Sequence, residues 1–197
     1  MPRTPEQYEQ IRKEKRQQIM EAALELFAHD GYYNTPISKI AQTAGISKGL
    51  MYNYFESKED LVISVMNQGM EILTDFLDPN KDGVLTDEEF DFFVIKSFDS
   101  LRENVNYWRL YFNLIMQKEV FELVMSNYQS VMNHTMNLLT SYFETRGVKD
   151  PASEAILFGS IMDGLSMAYI LNPEHTDLDK LQISIIEKFG HKHENRE

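Results

Sequence analysis

Residues Thr35–Leu61, TPISKIAQTAGISKGLMYNYFESKEDL, decide the fold. Ile37, Ile40 and Ala41 recur at three- and four-residue spacing, the period of one helix face. Thr35 is placed as the N-cap of that helix, and Pro36 suits the first helical position, where no N–H is needed. Ala44-Gly45-Ile46 then breaks the helix, with Gly45 supplying the left-handed backbone of a sharp turn. Ser47 caps a second short helix carrying Lys48, Gly49, Leu50, Met51, Tyr52 and Asn53, and Ser57 caps a third beginning Lys58-Glu59-Asp60.

Helix, tight glycine turn, helix is the helix-turn-helix layout. The chemistry of its side chains suits a DNA duplex. Lys48 and Lys58 can neutralise phosphates, while Thr35, Ser38, Ser47, Tyr52 and Tyr54 offer hydroxyls. Gly49 permits close approach, and Leu50 and Met51 can meet thymine methyls. The competing reading is a small helical subdomain with solvated lysines and a buried aromatic cluster around Phe55.

These residues carry a resemblance. The run IAQTAGISKGLMYNYFESKEDL, preceded by AALELFAHDGYYNT, resembles the N-terminal domain of the tetracycline-repressor (TetR) family over about residues 15–65. That resemblance implies an all-α protein with a three-helix helix-turn-helix domain and a C-terminal helical bundle, about nine helices in all. It also implies a homodimer formed through helices eight and nine, a pseudo-palindromic operator, and a small-molecule effector that releases the DNA. The domains expected are 1–56 for DNA binding, 57–190 for ligand binding and dimerisation, and 191–197 as a flexible tail.

Charge agrees with that division. The chain of 197 residues carries a net charge of −12. Residues 1–60 hold 8 Lys/Arg against 9 Asp/Glu, and residues 61–197 hold 11 against 22. Acid is therefore concentrated beyond the motif, whereas Arg12, Lys13, Lys15 and Arg16 lie together before it. A local basic face is sufficient for phosphate contact. There is no cysteine, no apolar N-terminal leader and no apolar run approaching a membrane span, so a cytoplasmic protein is expected.

A second stretch, Asp78–Glu89, DPNKDGVLTDEE, fits the EF-hand calcium loop without a gap. Asp78, Asn80 and Asp82 stand at positions 1, 3 and 5, Gly83 at the turn, Val84 where a carbonyl coordinates, and Glu89 at the bidentate position 12. Calcium, or magnesium second, is the cofactor expected; no organic cofactor is. Without a metal, Thr86-x-x-Glu89 is also a capping box and Asp82-Gly83 an ordinary turn. One rival function follows: a calcium-binding module whose helical hairpin is only scaffold.

Between about Val105 and Thr145, aromatic and methionine side chains are dense. Tyr107, Trp108, Tyr111, Phe112, Tyr128 and Met132 are candidates to line an apolar ligand pocket, with Arg109 and His134 as polar contacts; plain core packing is the alternative for each. Asp150-Pro151 opens helix eight and Thr176 is placed as the cap of helix nine. No catalytic constellation is present: there is no HExxH, no phosphate loop and no thiol, so an enzyme is not expected.

Overall fold

A computed structural model describes residues 4–190; the tail expected at 191–197 lies outside the described residues. Among the described residues the chain is all-α, with nine α-helices and one short 3-10 turn. They are α1 Pro5–Asp30, α2 Ile37–Thr43, α3 Lys48–Met51, α4 Lys58–Leu77, α5 Asp87–Glu103, α6 Val105–Ile115, α7 Lys118–Thr145, α8 Pro151–Leu171 and α9 Leu178–Phe189.

Most helix starts follow from local chemistry. Thr4 and Gln7 form a reciprocal capping box at α1, satisfying two N–H groups that the helix itself leaves unbonded. Thr86 and Glu89 do the same at α5. Asp150 accepts from the Ser153 N–H, with Pro151 at the first position of α8. Two caps differ from expectation. Asp177, not Thr176, caps α9, because Thr176 Oγ1 donates back to the carbonyls of Asn172 and Ala168. Pro36, not Thr35, stands at the cap of α2, with no side-chain bond.

The chain forms two compact units. The first runs through Gly69 and takes back Leu110–Asn127; the second comprises Met70–Arg109 and the chain from Tyr128. Sequence periodicity marks helices but cannot show which of them return to an earlier core. In the first unit Ile19, Phe27, Ile40, Met51, Phe55, Leu61, Met66 and Leu114 are fully buried. In the second, Phe90 stacks on Tyr142 at 4.7 Å and meets Phe158 at 4.9 Å, while Phe143 and Phe189 close the cluster edge-on. Each such phenyl removed from water stabilises the fold by roughly 1.5–3 kcal/mol. Arg146 joins this cluster to the start of α5 and the end of α9: its guanidinium bonds the Asp87 carboxylate and the Gly190 carbonyl, and Tyr142 donates to Asp87.

α8 is long and apolar enough, by length and composition alone, to cross a membrane, which the sequence reading did not anticipate. It nevertheless carries Glu154 and Asp163, and it packs Ala155, Phe158, Met162 and Ile170 into the second unit.

Candidate DNA-binding interface

The first unit builds a helix-turn-helix from α2 and α3. The turn is set by backbone bonds from Ala44 N–H to the Ile40 carbonyl and from Ile46 N–H to the Ala41 carbonyl, with Gly45 at φ 66° between them. Such a φ is costly for any residue with a Cβ. Ser47 then starts α3 by accepting from the Leu50 N–H at 3.1 Å. The helix is short, Lys48–Met51, and the chain leaves it through a turn into α4, which Ser57 caps by accepting from the Asp60 N–H.

Burial sorts the expected contacts into two groups. Ser38, Ser47, Lys48 and Gly49 are exposed, Leu50 is 39% exposed and Tyr52 50% exposed. A half-exposed leucine and tyrosine beside a free lysine and two hydroxyls form a surface able to meet phosphates and base edges. Tyr54 is half-buried. Asn53 is exposed in the turn after α3; Gln42 and Thr43, exposed at the end of α2, were missed as candidates, and their polar amide and hydroxyl in the motif were the available signal.

Three expected contacts are corrected. Thr35 is wholly buried, and its hydroxyl donates to the carbonyls of Gly31 (2.9 Å) and Leu26 (3.2 Å), so it fastens the end of α1 and faces no duplex. Met51 is wholly buried beneath the motif. Lys58 turns inward: its ammonium lies 4.5 Å from the Tyr32 ring centroid and donates to the Tyr33 carbonyl, and burial pushes its pKa down. Arg16, in the early basic cluster, is also engaged, with its guanidinium 4.7 Å over Phe55 and bonded to Ser64 Oγ. Lys39 pairs with Asp30 at 2.7 Å. Lys48 is thus the lysine of the motif for which no ion pair or ring contact is found among the described residues.

A further set of contacts holds the domain in place and left no local trace in sequence. Gln117 Nε2 donates to the Phe27 carbonyl (2.8 Å), its Oε1 accepts from the Tyr32 N–H (2.7 Å), and Asn113 donates to the Ala28 carbonyl (2.9 Å). Two amides from the end of α6 and the following turn therefore satisfy the terminal carbonyls of α1, from about 90 residues away in the chain. On α4, Gly69 lies against the Tyr111 ring so closely that an added Cβ would fall 2.3 Å from it.

The six expected ligand contacts divide between the units. Tyr111 and Phe112 belong to the first; Tyr107, Trp108, Tyr128 and Met132 belong to the second. Trp108 is buried, with its indole N–H donating to Ser100, and Tyr107 meets it edge-on at 5.2 Å. Burial pushes the phenols of Tyr107 and Tyr128 up to about 12, which keeps them neutral. Met132 is 38% exposed. Arg109 bonds Asn106, and His134 lines a different cavity, at the Asp78–Glu89 loop.

In that loop the five expected ligand residues hydrogen-bond one another and the loop backbone. Glu89 is held at the cap, with Oε2 accepting from Thr86 N–H and Oγ1 (2.9 Å each) and Oε1 accepting from Asn80 Nδ2 (2.8 Å). Among the described residues no three His, Asp or Glu side chains are grouped as a metal site. Asn80 turns its amide N–H to Glu89, while Asp78, Asp82 and the Val84 backbone shape the loop by hydrogen bonds of their own.

The fold and this surface define a helix-turn-helix DNA-binding protein. Residues 19–65 match the family of bacterial regulatory proteins described as the tetR family. Along 187 residues the chain is 26% identical to the fatty acid metabolism regulator protein of Bacillus subtilis (strain 168), covering 89% of this chain and 94% of the relative. The structure is similar to that of the regulator FadR from Bacillus subtilis in complex with stearoyl-CoA, with TM-score 0.69, 24% identity, and 88% and 97% of the two chains covered. It is also similar to native NalD, the secondary repressor of the MexAB-OprM multidrug efflux pump in Pseudomonas aeruginosa, with TM-score 0.70, 21% identity, and 90% and 96% covered. The protein is a DNA-binding transcriptional regulator rather than an enzyme, and its residues 19–65 are similar to the tetR family. The hairpin is accordingly a DNA reader, and its reading as mere scaffold for a calcium module has no support.

Proposed function

We propose that this protein is a dimeric, cytoplasmic repressor released from its operator by a long-chain acyl thioester. The observation that carries this reading is the similarity, over nearly the whole of both chains, to a regulator named for fatty acid metabolism. The structure of a similar regulator with stearoyl-CoA supports the effector class. The density of methionine and aromatic side chains along α6 and α7 suits an apolar, flexible tail, since such walls adapt to it.

The second copy is argued from α8 and α9. Leu157, Ser160, Gly164, Ala168 and Leu171 recur at three- and four-residue spacing on α8, and all are exposed. Leu171 is 77% exposed, and Ile183 of α9 56%. A Cβ placed on Gly164 meets nothing within 4 Å. An apolar stripe with small residues at its centre suits close packing against its own copy, as closed two-fold dimers require. Two α3 helices would then enter successive major grooves roughly 34–36 Å apart. The effector acts by binding the form with unfavourable spacing more tightly than the DNA-bound form; equal affinity for both would shift nothing.

The experiment is operator binding with and without effector. Duplexes are selected from a random pool with the purified protein, and their affinity is then measured by fluorescence anisotropy against stearoyl-CoA and against coenzyme A. Release by stearoyl-CoA and not by coenzyme A is the result expected. Operator affinity that stays constant across saturating stearoyl-CoA rules out the effector assignment.

A further inference from the structure

The loop between α4 and α5 holds an unexplained buried charge. Asp78 follows the last residue of α4 and is only 9% exposed. Its Oδ2 accepts from the Gly83 N–H at 3.2 Å, but its Oδ1 is buried with no hydrogen-bond partner. A carboxylate oxygen taken from water without compensation is costly, and native folds seldom leave one so. The nearest basic side chain in the loop does not supply the partner, because Lys81 pairs with Asp75 at 3.3 Å. Asp78 lines a cavity of about 400 Å³ together with Asp82, Gly83, His134 and Thr135. The unsatisfied oxygen thus belongs to a residue that borders a hollow large enough for a cation, although water does not reach the oxygen itself.

We propose that this loop binds one divalent cation, calcium in preference to magnesium, anchored on Asp78 Oδ1. Asn80, Asp82, the Val84 carbonyl and Glu89 complete the oxygen set. The loop backbone already follows the course such a site needs: Lys81 and Gly83, at the fourth and sixth positions, both have positive φ, 59° and 77°. Leu85 at the eighth position is buried and pins the loop to the second unit. His134 stays outside the set, since hard cations take oxygen ligands. Calcium is favoured because six irregularly placed protein oxygens, with Glu89 bidentate, and one water suit its loose geometry, whereas magnesium demands a near-ideal octahedron.

Glu89 sets the affinity. To reach the cation it must release the Thr86 cap and the Asn80 amide. Asn80 must in turn rotate its oxygen inward. That competition places the site at the weak end of calcium loops, with Kd about 10⁻⁴ to 10⁻³ M. Neither the effector assignment nor the dimer enters this inference.

The test is calorimetric titration of the full chain, after chelator treatment, with calcium chloride and separately with magnesium chloride. One calcium per chain, bound at least ~10-fold more tightly than magnesium, is expected, with a rise in Tm as the cation binds the folded form alone. Glu89→Gln retains an oxygen able to accept from the Thr86 N–H, so it should keep its Tm in chelator while losing ~10-fold or more in calcium affinity. Asp78→Asn keeps an acceptor for Gly83 and should abolish the calcium response. A wild-type chain without calcium heat or Tm shift, or variants that bind calcium as tightly as the wild type, would overturn the site. Equal response to both metals would mark general attraction to an acidic surface and overturn it as well.

Discussion

At the scale of single residues, two lysines ten apart do different work. Lys48 is exposed at the head of α3, and Lys58 lies over the Tyr32 ring. Lys48→Ala should weaken binding to every duplex and reduce the slope of log affinity against log salt by about 1, with Tm unchanged. Lys58→Ala should instead leave that slope intact and lower stability by about 1 kcal/mol through the lost cation–π contact and hydrogen bond. Salt titrations of operator binding, paired with urea melts, separate the two; matching slopes in both variants would contradict the assignment. Thr35 makes the same point within the core. Thr35→Val removes the donor shared by the Gly31 and Leu26 carbonyls and should cost about 1–3 kcal/mol in urea unfolding, while the folded fraction binds its operator normally.

At the scale of elements, the critical packing is α4 against the end of α6. Tyr111 lies on Gly69 and its hydroxyl is 3.5 Å from the Met66 carbonyl. A methyl at Gly69 requires that ring or that helix to move. Gly69→Ala should therefore destabilise the first unit by about 1–3 kcal/mol despite the better helix propensity of alanine. Equal or higher Tm in the variant would show that the ring yields without cost. The amides of Asn113 and Gln117 act at the same scale, since they tie α1's last turn to the α6 end and so hold the helix-turn-helix in register with the remainder of the unit.

At the scale of the whole molecule, the proposed function depends on a second copy. The exposed stripe on α8 predicts that Gly164→Leu folds as well as the parent, because nothing in the chain crowds that Cβ and leucine is the better helix former. The same change should drive the protein to monomer by light scattering and weaken operator binding, since one half-site contact then replaces two. A variant that remains dimeric would place the interface elsewhere. The fold also spreads charge usefully at this scale: acid is concentrated beyond residue 60, so the exposed basic group of α3 stands on the less acidic part of the chain.

The sequence by itself determined what depends on near neighbours in the chain. Helix periods, the caps at Thr4, Ser47, Ser57, Thr86 and Asp150, and the Gly45 turn all rest on contacts within four residues, so the all-α class and the DNA-reading hairpin were legible. Tertiary structure alone decided what depends on residues far apart. Thr35, Met51 and Lys58 look like contacts in a one-dimensional reading, and only the carbonyls, core and rings brought against them show otherwise. The return of α6 to the first unit and the clasp of Gln117 on α1 join positions about 90 apart, a distance at which no residue pattern constrains its partner. In the acidic loop, sequence supplied the ligand types in order. The burial of Asp78 Oδ1 follows from packing, which local spacing does not encode, whereas the capture of Glu89 at the Thr86 cap was legible as a capping box.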